Sequence, residues 1–285
     1  MLSIDPKEIP VGQLHQYLLS AVSPRPIAFA STVDKKGKPN LSPYSFFNVF
    51  SANPPILIFS PARRVRDNTT KHTLENAEAT KEVVINVVNY NIVQQMSLSS
   101  TEYDAGINEF EKAGFTMLPS EKIKPFRVAE APIQFECIVN EIIALGKNAG
   151  AGNLVICEVV KLHINESVLD ENQNIDQQKL DIVARAGGSY YSRAKEAFFE
   201  IPKPIQSKGL GVDQLPDHIK NSHILSGNDL GVLANVNQLP DAAAIQDFKS
   251  KMPYSVKLSF ESKQQLAKQF IKQGHLENAW KLLLS

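Results

Sequence analysis

The sequence predicts a mainly β protein: an antiparallel barrel, closed or nearly closed, with flanking helices and a helical C-terminal extension. Three observations carry this. Over the first two hundred or so residues, short apolar or alternating runs outnumber helical ones, and many strands with few helices argue for a barrel. Two pairs of runs are joined by hairpin chemistry: Asp34-Lys35-Lys36-Gly37 between residues 27–33 and 40–51, and the glycine-rich 146–152 between 133–143 and 154–164. After Lys203-Pro204 strand patterning gives way to helical patterning, so a boundary is expected between residues 1–204 and 205–285.

Composition narrows the function classes. Hydrophobic residues make up 43% and charged residues 21% of the 285, as in a globular protein with a sizeable core. Thirty basic and thirty acidic side chains cancel, so no net field draws the chain to nucleic acid or membrane. There is no membrane-length apolar run, and MLSIDPKEIP lacks the basic and apolar regions of a signal peptide. Cytoplasm is the expected compartment. Cys137 and Cys157 lie in apolar strand-like runs and are expected to be buried, reduced thiols. The six histidines show no metal-ligand spacing, so no metal site is expected. Ser31 and Ser45 lack a G-x-S-x-G context, and no G-x-G-x-x-G follows a strand; a serine hydrolase and a Rossmann domain are both disfavoured.

Taken in order, residues 7–22 carry Val11, Leu14, Tyr17, Leu18 and Leu19 at helical spacing. Residues 27–33 are β-prone, and Gly37 suits a turn with φ > 0. The return segment 40–51 is read as one strand with a bulge or edge at Pro43, which has no N–H for a ladder. Residues 56–60 (ILIFS) read as a buried strand. A helix is expected over about 73–80 with Thr73 as its N-cap, a strand over 82–89 and a short helix over 91–97. One helical turn at 109–113 should stop at Gly114. The last stretch reads as two short amphipathic helices joined by a turn at Gly274.

Two stretches bear chemistry. Ser42-Pro43-Tyr44-Ser45-Phe46-Phe47-Asn48 mixes hydroxyls, an amide and aromatics around a proline, with Ser31 and Thr32 on the preceding strand. Such a wall suits a flat ligand with a polar edge, although each phenylalanine by itself also reads as barrel core. The loop after Ser60 carries Arg63, Arg64, Arg66 and Lys71 among Asn68, Thr69, Thr70 and Thr73, just ahead of a helix. It offers the cations, hydroxyls and helix N-terminus that a phosphate needs, and taken alone it also reads as a solvated turn.

The run RPIAFAST, followed by D, G, N and SPYSFF, resembles the flavin reductase-like proteins with the FMN-binding split-barrel fold. Its nearer branch is that of nitrilotriacetate monooxygenase component B type reductases. The resemblance covers about residues 20 to 200 and implies a Greek-key split barrel. It places the backbone of Ser45, Phe46, Phe47 and Asn48 at the flavin ring, with Thr32 and Ser45 toward the ribityl chain and ring edge and Ser31 and Tyr44 beside them. It places the phosphate in the loop that follows Ser60, among Arg63, Arg66, Lys71, His72 and Thr73. The family's Lys-Asp-Thr is here Lys71-His72-Thr73, so His72 either adds a donor or faces solvent. Arg185-Ala186-Gly187-Gly188-Ser189-Tyr190-Tyr191 resembles the family's Arg-x-Gly-Gly-x-x-Tyr segment near the open face of the flavin, where Tyr190 or Tyr191 would cover the ring or stack on nicotinamide. A structural turn is the other reading of that segment.

The resemblance further implies a homodimer completing the FMN site, with NADH or NADPH passing hydride to the flavin and no catalytic side chain required. The competing readings are a non-enzymatic flavin carrier or sensor, and an electron-transfer partner of an oxygenase.

Overall fold

The computed structural model describes residues 1–104, 106–201 and 208–285. The chain divides into two compact units, Met1–Phe198 and Phe199–Ser285. The boundary expected at residues 204 and 205 lies outside the described residues.

In the first unit α1 (Val11–Ala21) precedes β1 (Ala28–Val33), β2 (Pro39–Tyr44), β3 (Phe47–Ala52) and β4 (Pro55–Phe59). Next come α2 (His72–Thr80), β5 (Glu82–Val87), α3 (Val93–Leu98) and α4 (Glu109–Ala113). The two-residue strands β6 (Met117–Leu118) and β7 (Arg127–Val128) pair with each other ahead of the long hairpin β8 (Ile133–Ala144) and β9 (Asn153–Ile164). After α5 (Gln177–Leu180), β10 (Val183–Arg185) and β11 (Tyr191–Arg193) form a second small pair.

Seven strands make one antiparallel sheet in the order β2-β1-β5-β8-β9-β4-β3. Its core follows the two-residue period of strands. Ala28 and Ala30, Leu57 and Phe59, Val83 and Ile85, Cys137 and Val139, Val155 and Cys157 fill one face. Phe29 and Leu41 on the other face pack with Met96, Phe110 and Phe115 under α3 and α4. Every residue of β1 is therefore buried. Both cysteines are free and buried in the first of these clusters, and burial pushes their thiols up.

The return segment departs from its reading as one strand. It is two strands, β2 and β3, at opposite ends of the sheet order, and only Ser45 and Phe46 lie between them. Pro43 is tolerated on the edge strand β2 opposite Phe29, while the bulge falls between Val49 and Ser51 of β3. The Thr73 cap is also corrected. Lys71 occupies the N-cap of α2 and no side chain caps the helix, because Thr73 Oγ1 instead accepts from Asn40 Nδ2 at 2.8 Å inside the fold. The α4 stop at Gly114 (φ 71°) and the Gly274 turn (φ 78°) stand as read.

The second unit holds α6 (Asp217–Lys220), α7 (Gly227–Ala234), α8 (Ala242–Lys251), α9 (Phe260–Lys272) and α10 (Leu276–Leu283). They close on their own core around Trp280, whose Nε1 donates to Leu233 O at 3.1 Å. Among the described residues no helix is long and apolar enough to cross a membrane, and no cluster of His, Cys, Asp or Glu is arranged to hold a metal ion.

Candidate functional site

The corner where β2 hands over to β3 is lined by three adjoining clefts. One of about 260 Å³ is bounded by His15 and Leu19 of α1, by Ser42 through Phe46, and by Ser60 and Lys71. A second, also about 260 Å³, continues from Pro43, Tyr44 and Ser45 to Met96, Ser97, Arg185 and Tyr191. A small polar one, about 30 Å³, lies against Arg64, Lys71, His72 and Thr73. Tyr44 and Ser100 line all three. The β2–β3 wall and the cationic loop thus line adjoining clefts, with Lys71 common to two of them.

Local structure explains this convergence. β4 ends at Phe59, and Ser60 Oγ accepts the Asn153 N–H at 3.0 Å, pinning the loop's start to β9. Asn68 adopts a left-handed φ of 58°, and Arg63 folds back onto it, donating to Oδ1 at 2.7 Å and to the carbonyl at 2.5 Å. Arg63 is thereby committed inside the loop; Arg64 Nη1 is also tied to Thr69 Oγ1 and the Thr70 carbonyl, and its side chain lines the small cleft. At the loop's end stands the uncapped N-terminus of α2, whose first N–H groups have no intrahelical acceptor. Behind it, Asn40 ties Thr73 to Thr32. On the other side, buried Arg25 anchors α1 and the Gly187 turn: its guanidinium donates to the carbonyls of Leu19, Val22 and Ala186, and Nε reaches Ser45 Oγ at 3.5 Å.

Of the residues anticipated from sequence, Tyr44, Ser45, Phe46, Ser60, Lys71, His72, Thr73 and Arg185 line the groove. The side chains of the remaining seven do not line these clefts. Ser31 and Thr32 are fully buried within β1, and Thr32 Oγ1 accepts from Asn40 and Asn76. Phe47 packs on the core, and Asn48 is exposed on β3. Arg63 is bound to Asn68, Arg66 projects outward with its side chain 74% exposed, and Tyr190 stands clear at 78% exposure. It is Tyr191, under the Arg185 guanidinium at 4.6 Å, that faces the groove. Sequence reasoning passed over Ser100, Glu102 and Glu109, which reach the groove from a polar stretch without a motif. Only the Asn108 cap of α4 marks that stretch locally.

The small cleft carries two cations, Arg64 and Lys71, and two carboxylates, Glu102 and Glu109, while the wall beside it is uncharged. Arg64 and Lys71 flank the small cleft, together with the Thr73 hydroxyl. Tyr44 Oη is buried, and burial outweighs the neighbouring Thr73 and Ser42 hydroxyls to push the phenol up, so it stays protonated as a donor. A buried phenol donor at the junction of all three clefts is placed to meet a ligand with a polar edge. Glu109 is buried at the back, and burial pushes its carboxyl up even though the Leu41 N–H donates to it at 3.0 Å. A larger cleft, about 700 Å³, lies in the second unit against Leu239, Pro240, Leu276 and Trp280. Among the described residues its ionisable lining is Asp241 and Glu277, both acidic.

A mostly antiparallel sheet whose two edge strands meet at a polar, cationic corner is the architecture of one established class, and the comparisons agree on which. The chain belongs to the flavin reductase like domain family, whose model matches residues 20–183. A protein of Aquifex aeolicus is 36% identical over 188 residues, covering 66% of this chain and 93% of its own. Among solved structures, nitrilotriacetate monooxygenase component B from Bacillus cereus is 31% identical with a TM-score of 0.65, covering 71% of this chain and 98% of its own. The 2-nitrobenzoate 2-nitroreductase NbaA of Pseudomonas fluorescens is 27% identical with the same TM-score of 0.65, covering 74% of this chain and 100% of its own.

Proposed function

We propose that the protein is an FMN-binding flavin reductase that uses NADH or NADPH and works as a cytoplasmic homodimer with a split-barrel fold. The observation that carries this is the set of adjoining clefts that brings Lys71, Arg64 and Thr73 together with the Ser42–Phe46 wall around the buried Tyr44 hydroxyl. FMN has that shape: a phosphate at one end and a flat ring with a polar edge at the other.

In this reading Lys71, Arg64 and the N-terminus of α2 hold the phosphate. Backbone and hydroxyl groups of Tyr44, Ser45 and Phe46 face the ring edge, and Arg185 with Tyr191 borders the second cleft, which leaves room for a nicotinamide. The bound flavin supplies the redox chemistry, accepting a hydride. The chain's own residues bind, align and exclude water, so no side-chain acid or base is assigned. Exposed Phe46, Val49 and Phe50 at or beside the edge strand β3 support the dimer. Delivery of reduced flavin to an oxygenase is the downstream role suggested by the likeness to component B of a monooxygenase.

The test is an absorption spectrum of the purified protein with added FMN, followed by anaerobic addition of NADH or NADPH. Bleaching of the flavin band, with steady turnover in air, is expected. Tight flavin retention without reduction by either nucleotide would leave a carrier or sensor instead.

A further inference from the structure

The cations assigned to the phosphate already have an internal anion. Glu102, on the stretch between α3 and α4, places Oε1 3.1 Å from Arg64 Nε and 3.4 Å from Lys71 Nζ, and Oε2 3.1 Å from Arg66 Nη2. Both carboxylate oxygens are engaged, and Glu102 lines the small cleft with Arg64, Lys71 and Thr73. Asp67 shares only Arg66, at 3.1 Å. Partial desolvation raises the Glu102 carboxyl, but Lys71 and Arg64 outweigh it and hold the group below the ordinary carboxylate range. It is therefore an anion at neutral pH.

We propose that Glu102 is an intramolecular competitor for the phosphate of the flavin, occupying Arg64 and Lys71 and keeping bound flavin exchangeable. The inference rests on the FMN reading above and adds to it. A phosphate dianion offers more acceptor oxygens and more charge than a carboxylate, so it displaces Glu102 from these cations. Ion pairs between partly exposed side chains are weak; Glu102 side-chain exposure is 42%, against 16% for Arg64 and 29% for Lys71. The competition is thus large enough to loosen FMN and too small to prevent its binding. The same competition leaves a flavin without a phosphate unaffected, so Glu102 also sets how strongly FMN is preferred over riboflavin.

The experiment is calorimetric or fluorescence titration of FMN and of riboflavin into the full chain and into Glu102→Gln and Glu102→Ala. Both variants should bind FMN about threefold to tenfold more tightly, with slower release, and riboflavin within about twofold of the parent. In an Arg64→Gln background the gain on FMN should shrink, because one of the two contested cations is gone. Weaker FMN binding in both variants would show that Glu102 orients the cations rather than competes for them. An unchanged ratio of FMN to riboflavin affinity would equally overturn the proposal. Failure of the parent protein to bind either flavin would instead sink the functional reading beneath it.

Discussion

At the scale of single residues, the cationic loop divides its labour in a way that follows from one backbone choice. Asn68 at φ 58° draws Arg63 inward, which leaves Arg64 and Lys71 for the groove and Arg66 for solvent. Lys71→Ala should therefore weaken FMN binding by about tenfold, the loss of one partly screened charge-assisted bond. Riboflavin should change by no more than about twofold, because it has no phosphate to lose. Arg63→Gln should behave differently: it disturbs the loop, and both flavins should suffer alike. Titration of the two ligands against the two variants checks this, and equal losses in Lys71→Ala would remove Lys71 from the phosphate site. The sequence marks this loop as cationic and places it after a strand and before a helix, which is enough to find the site. It does not say which of three neighbouring arginines faces inward, because a loop has no period to read; a left-handed asparagine decides it.

At the scale of elements, what was legible had a period or a turn residue. The β8–β9 hairpin forms from two strand-like runs about a glycine-rich turn, with register shifts between Glu136 and Cys137 and between Val139 and Glu141, and the stops at Gly114 and Gly274 need left-handed backbone that glycine adopts without strain. The β2–β3 break was not legible, since Ser45 and Phe46 are no turn signal; the division comes from β2 pairing with β1 while β3 pairs with β4. The groove's second wall was hidden for the same reason, being built from Ser100 and Glu102 in a stretch without pattern. One buried charge shows how the hairpin is held to its neighbours. Glu136 of β8 is fully buried and accepts the N–H groups of Glu121 and Lys122 at 2.8 and 2.7 Å, with His163 Nε2 at 2.7 Å. Burial raises its carboxyl, but the two backbone donors and His163 outweigh it and leave the group below its ordinary value. A folded value below the unfolded one, about 4.3 for glutamate, means this stabilisation is present above that pH and lost as pH falls through the folded value. Glu136→Gln should lower stability at pH 7 and flatten the acid limb below about pH 4 relative to the parent. Urea unfolding across pH 3 to 7 reads both, and a parallel acid limb in the variant would show that Glu136 does not drive it.

At the scale of the whole molecule, each unit has a core of its own. The flavin site as read here draws every one of its residues from the first unit. The chain's single tryptophan, Trp280, belongs to the second, 1% exposed, with its indole N–H given to Leu233 O. Its fluorescence therefore reports on the helical unit, while added FMN reports on the first. Trp280→Ala empties a large core position and orphans the Leu233 carbonyl, a change that costs about 3–5 kcal/mol in well-packed interiors. If the groove is complete within the first unit, this variant should lose helical signal at lower urea while FMN affinity stays within about twofold of the parent. The two quantities are measured on the same sample, by circular dichroism and by flavin titration. Loss of FMN binding in step with loss of helix would mean that the helical unit supports the flavin site, and would give the extension a role in cofactor binding that its own acidic cleft does not suggest.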